Sequence, residues 1–97
     1  MKVHLRRLAE IELNEAVDFY EHRQQGLGQR FANKVLTVLR EIETNPKRFA
    51  EAEEGVREAP LLDFPYAIYY QIVSNRVDVI SVFHTSRDPN VWQRRVL

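Results

Sequence analysis

The sequence predicts an α+β domain, a largely antiparallel sheet with a helical hairpin packed on one face. One observation is a long apolar hairpin: Ile68, Tyr70 and Ile72 alternate with Ala67, Tyr69 and Val73, Ser74-Asn75 turns, and Val77 to Phe83 returns. The returning segment is apolar on both faces, the pattern of a central strand covered on two sides. The other observation is a pair of helix-period stripes ahead of that hairpin, joined by a short glycine-bearing connection. Such a connection makes the helices antiparallel neighbours, and neither can bury its stripe without a sheet beneath it.

Each element has its own signal. Lys2 to Arg7 alternates Val3 and Leu5 with charged or polar neighbours, as a half-exposed strand does. Leu8 to Gln25 is helical in pattern: Ala9, Leu13, Ala16, Val17 and Tyr20 form one stripe, with Glu10, Asn14, Asp18 and Glu21 opposite. Gln25-Gly26-Leu27-Gly28 breaks it, because glycine takes the left-handed conformation at little steric cost. Phe31, Val35, Val38, Leu39 and Ile42 then mark a second amphipathic helix, which Asn45-Pro46 ends. Of these, Phe31, Val35, Leu39 and Ile42 are expected to face the sheet. Lys47 to Gly55, polar and acidic, reads as a connection, and Val56 to Ala59 as a strand followed by Pro60. A short helical tail is expected from Asn90 to Arg95. The predicted order is β-α-α-β-β-β in a single domain covering residues 1–97.

Composition narrows the classes. A chain of 97 residues, 44% hydrophobic, has material for one core and no linker or repeat that would divide it. With no cysteine there is neither a disulfide framework nor a thiolate metal site. The start lacks the apolar run of a signal peptide and no segment is long enough to span a bilayer, so a cytoplasmic protein is expected. Charge balances, 14 basic against 14 acidic residues, which argues against a large nucleic-acid footprint. Its placement is uneven. Glu10, Glu12, Glu15, Asp18 and Glu21 occur without an intervening Lys or Arg, whereas Arg87, Arg94 and Arg95 face only Asp88 at the C-terminal end. The two ends are therefore suited to different partners.

Residue by residue, the chain resembles the RelE/ParE superfamily of toxins from bacterial type II toxin–antitoxin modules, the ParE-like branch above all. The resemblance runs through Ala9, Leu13, Ala16 and Phe19-Tyr20-Glu21 on the first helix, Gly26-Leu27-Gly28 with Phe31, Pro46, and Arg57. It continues through Phe64-Pro65-Tyr66, Ile68-Tyr69-Tyr70, and His84 followed by Arg87, Pro89, Trp92 and Arg95. It implies a small toxin of the kind associated with plasmid stabilisation, held inactive by a co-produced antitoxin that wraps it with an extended or helical segment. RelE-like members cut mRNA in the ribosomal decoding site; characterised ParE-like members poison DNA gyrase. Gyrase is therefore the expected target and ribosome-bound mRNA the alternative. A non-toxic relic that only binds antitoxin is the second alternative.

The candidate residues divide along those lines. An endoribonuclease would need cations around the scissile phosphate and an acid for the leaving oxygen, and Arg57, His84 and Arg87 are the candidates if the fold brings them together. No lysine follows Lys47, so any basic cluster on the sheet rests on arginines, and binding is favoured over catalysis. Tyr66, Tyr69, Trp92, Arg94 and Arg95 are the candidates for target binding. Each has a structural alternative: His84 as a strand-end hydrogen-bonding group, the arginines as partners of Glu58, Asp63 or Asp88, and the aromatics as packing. The acidic run reads as a solvated helix face. No cofactor is expected, and no metal: His4, His22 and His84 fall in different elements, and Gly26-x-Gly28 lacks the preceding strand of a nucleotide-binding loop.

Overall fold

The computed structural model describes residues 1–96. Strand β1 (Lys2–Leu5) leads into helices α1 (Arg7–Arg23) and α2 (Leu27–Thr44); then come β2 (Glu51–Glu53), β3 (Val56–Pro60), β4 (Tyr66–Val73), β5 (Arg76–His84) and the short helix α3 (Asn90–Gln93). The five strands lie in the order β1-β5-β4-β3-β2. All neighbours are antiparallel except β1 and β5. This is the predicted α+β arrangement with one addition. The segment Lys47 to Gly55 is more than a connection, because Glu51–Glu53 pairs with Val56 and Arg57 as an edge strand. Three residues, Glu51-Ala52-Glu53, are too short a run for alternation to distinguish a strand from a loop.

The helical hairpin is pinched at its turn. Gly26 has φ +88°, and a Cβ on Gly28 would lie 2.6 Å from the Val17 carbonyl oxygen, so glycine is needed at both positions for different reasons. The Glu21 carboxylate accepts the N–H groups of Gly26 (2.8 Å) and Gly28 (3.0 Å). A carboxylate from one helix thus satisfies the orphan donors at the start of the next, where no side chain of the cap residue does so.

Strand β5 carries a bulge. Tyr69 pairs with Ser81 but Tyr70 with Val79, leaving Ile80 as the extra residue. The bulge resets the alternation: Val77, Val79 and Val82 belong to the core under the helices, with Phe31, Val35, Ile42, Ile68 and Tyr70. Ile80 and Phe83 join a second cluster on the opposite face, with Val56, Ala67, Tyr69 and Trp92. Both faces of β5 are therefore covered, as its composition requires.

Leu39 departs from expectation. It is only partly buried and, with Leu36, Val3 and Leu5, borders an open cleft over β1, whereas Val38 and Ile42 are buried. Ile42→Ala is accordingly expected to cost about 2–5 kcal/mol by transfer and cavity terms. Leu39→Ala should cost clearly less, since solvent already reaches that side chain. Urea denaturation of the two variants checks the order.

Candidate functional site

The sheet's two ends divide the candidate residues between them. Arg57 pairs with Tyr70 in the β3–β4 ladder, and its Nη1 donates to the carbonyls of Phe49 (2.7 Å) and Lys47 (3.2 Å). Tyr70 donates its hydroxyl to the Pro46 carbonyl at 2.6 Å. Together they fasten the segment that leaves α2 to the sheet. His84 lies at the other end, opposite Tyr66. Tyr66 and Tyr70 lie four positions apart on β4, about 13 Å at strand rise. The fold does not bring Arg57 to His84 and Arg87.

His84 itself is engaged. Its Nδ1 accepts the Ser86 N–H at 3.1 Å, lies 2.7 Å from Ser86 Oγ, and its carbonyl accepts the Arg87 N–H. The ring meets Tyr66 edge-to-face with centroids 5.1 Å apart. The ring thereby closes the turn after β5. Arg87 is exposed, with its guanidinium 5.5 Å from the centroid of Phe83. It borders a cleft of about 170 Å³ with Glu12, Glu15, Phe19, Tyr66 and Val82.

The aromatic candidates are largely structural. Trp92 is 3% exposed and stacks on Tyr69 with ring centroids 4.1 Å apart and 16° between planes. Tyr69 donates its hydroxyl to Glu58 Oε2 at 3.1 Å. Burial, then the neighbouring Glu58 carboxylate, pushes its phenol up to about 12. Tyr66 is half-buried between Tyr20, Phe31 and His84, and burial raises its pKa as well. Half of the resemblance-bearing aromatics, Tyr20, Phe31, Phe64 and Tyr66, thus form one packed cluster.

Of the arginines in the tail, Arg94 is exposed and Arg95 is not free. Arg95 grips Glu12 with both Nη atoms, at 2.9 and 3.1 Å, and Nη1 also donates to the Ile80 carbonyl at 3.1 Å. Glu12 further accepts from Ser81 Oγ (2.9 Å) and the Val82 N–H (3.1 Å). Arg6 donates to the Arg95 carbonyl at 2.9 Å and lies 3.4 Å from Asp78, which Arg76 approaches at 3.1 Å. Sequence reading took the acidic run for a solvated face; Glu12 and Glu21 are exceptions, committed to partners 83 residues away and across the turn, respectively. Nothing local marks Glu12 apart from its slightly inward position on the helix.

A family model for the ParE toxin of type II toxin–antitoxin systems, parDE, matches residues 3–89. The chain belongs to the ParE toxin family. A comparison with curated proteins by sequence found no match. Among solved structures, the fold is similar to a chain of the chromosomal ParDE TA system from P. aeruginosa, with a TM-score of 0.78. That alignment covers 89% of this chain and 97% of the other at 13% identity, so it shows a shared fold. Among the described residues no helix is long and apolar enough to cross a membrane. In this ParE-family chain the matched span stops just before α3, while the bridge from Arg95 lies beyond it.

Two outcomes follow from the packing of Tyr69 and Trp92. Trp92→Ala should cost about 3–5 kcal/mol in denaturant unfolding. The raised phenol makes the folded state retain a proton that the unfolded chain releases near pH 10, so its stabilising contribution is complete below that pH. It should fade as pH rises through 10 towards about 12. Tyr69→Phe should flatten that decline, measurable as chemical-denaturation midpoints across the same range.

Proposed function

We propose that this chain inhibits growth by binding a cellular target, DNA gyrase, and that a cognate antitoxin neutralises it. Membership of the ParE family supports the toxin reading, and the ParE-like resemblance supports gyrase. The observation that carries the preference for binding over mRNA cleavage is the position of Arg57. Its guanidinium is spent on the Phe49 and Lys47 carbonyls at the far end of the sheet from His84. With Arg57 elsewhere, Arg87 is the one guanidinium of the candidate trio left near His84, and a general acid with only part of its cationic clamp has less leverage on phosphate cleavage. His84 is also occupied with the turn, which gives it a role independent of proton transfer.

The available contact groups are the exposed guanidiniums. Arg87 and Arg94 are exposed, whereas Tyr69 and Trp92 are buried and Arg95 is paired. Expressed without antitoxin, the wild-type chain should give filamentous cells with DNA breaks and intact messages. His84→Ala should leave that arrest in place, and Arg87→Ala with Arg94→Ala should relieve it by tenfold or more in surviving colonies, roughly the loss of one charged contact. Purified gyrase with the chain should accumulate cleaved DNA. Ribosome-dependent cuts in translated mRNA that vanish in His84→Ala would reverse the assignment to the ribonuclease alternative.

A further inference from the structure

The helical hairpin separates charge between its two members. On α1, Glu10, Glu12, Glu15, Asp18 and Glu21 outnumber Arg7 and Arg23. From Leu27 to Arg48 the balance reverses, with Arg30, Lys34, Arg40, Lys47 and Arg48 against Glu41 and Glu43. Two of these cations already have partners: Arg48 lies 3.0 Å from Glu41, and Lys34 lies 3.5 Å from Asp63. Among the described residues, Arg30, Arg40 and Lys47 form no ion pair, and all three are exposed. Their charge plays no part in holding the fold.

The register of α2 sets where they stand. At about 3.6 residues per turn, Arg40 falls nearly opposite the buried stripe of Phe31, Val35, Val38 and Ile42, and Arg30 falls on the adjoining flank. About 15 Å of helix axis separates Arg30 from Arg40 at helical rise. Lys47 lies in the turn just past the end of α2. Between them, Thr37 stands where three clefts of about 420, 270 and 220 Å³ meet, and Arg30, Lys34, Arg40 and Arg48 contribute to their walls. The outer face carries no aromatic: from Arg30 to Thr44 the one aromatic side chain is Phe31, which is wholly buried.

We propose that the outer side of α2 is a contact for the phosphate backbone of duplex DNA, made by Arg30, Arg40 and Lys47 without reading sequence. Cations spaced along a rigid helix over about 15 Å suit the two phosphate rims of one groove, the major groove being about 12 Å wide. A single strand would need aromatic platforms for its bases, which this face lacks. Three unpaired cations are a small footprint, in keeping with the balanced net charge, and give weak binding by themselves. The carboxylates of α1 repel the same polyanion and so turn the α2 side toward it. The use of this contact in growth inhibition rests on the gyrase reading above. Gyrase holds a duplex, and a chain anchored on the enzyme meets that duplex at high effective concentration, where a weak contact adds affinity.

Duplex binding by the purified full chain, followed by fluorescence anisotropy from about 50 to 200 mM salt, tests the contact directly. Three phosphate contacts predict a slope of about −2.7 in log K against log salt, an affinity loss of about fortyfold over that range. Arg30→Ala with Arg40→Ala should reduce the slope to about −0.9, a loss of about three- to fourfold, and should act alike on unrelated sequences. These side chains are exposed, so the urea midpoint of the double variant should match the wild type. Arg7→Ala, which removes an exposed arginine from α1, should leave the slope unchanged. No duplex binding at about 50 mM salt, a slope untouched by the double variant, or tighter binding to single-stranded RNA or anionic vesicles would overturn the inference. With gyrase present, the wild-type chain should bind the gyrase–duplex complex more tightly than gyrase alone, and the double variant should lose that gain while still binding gyrase. Equal affinity for gyrase with and without duplex would overturn the role given to the contact in growth inhibition. A chain that binds duplex with the expected slope and ignores gyrase would overturn the gyrase reading and leave the α2 contact standing.

Discussion

The Glu12 carboxylate is the point at which three separate parts of the chain meet. It accepts from Ser81 and Val82 of β5 and from both Nη atoms of Arg95, so helix, strand and tail share one pair of oxygens. The arrangement answers a mismatch of length: β1 stops at Leu5 while β5 continues to His84. Buried backbone groups must be paired, and here a side chain from the overlying helix and one from the tail supply the partners. Because the pair is only slightly exposed, removing either member would leave the other charge largely desolvated and unpaired. The position of the tail, and with it Trp92, follows from that constraint.

The two faces of the sheet then receive different covers. The helical hairpin closes one face over Phe31, Ile42, Ile68 and Tyr70. The tail closes part of the other with a single indole laid on Tyr69. Tyr69 and Trp92, expected from the sequence as target-binding candidates, are consequently packed against each other. The polar tips of the tyrosines go the same way, Tyr69 to Glu58 and Tyr70 to the Pro46 carbonyl. The charged groups left exposed after β5 are Arg87, Asp88 and Arg94.

Much of this was legible in the sequence. The helical stripes and the Gly26-x-Gly28 break placed α1 and α2 to within a few residues, and the apolar run of β5 correctly announced a strand covered on both faces. That same run concealed the bulge at Ile80, because a strand apolar on every residue has no alternation from which register can be read. Strand β2 was invisible for a different reason, being only three residues long with a single alanine between two glutamates. Leu39 packs against the core beside β1, as a sheet-facing residue should, but its burial is only partial, which helical spacing alone does not reveal. For the candidate site, residue types were informative and partnerships were not. Arg57, Arg95 and Glu12 could each be singled out or passed over, but bonds spanning 8, 15 and 83 residues depend on where other elements end.

Balanced net charge conceals a division that the fold makes physical. The acidic flank of α1 and the arginines after β5 are far apart in sequence, yet they border the same cleft, where Glu12 and Glu15 face Arg87. One arginine of the tail is neutralised there and one is not: Arg95 is bound to Glu12, while Arg94 is exposed. A partner approaching along α1 meets carboxylates and apolar side chains; one approaching past the tail meets guanidiniums.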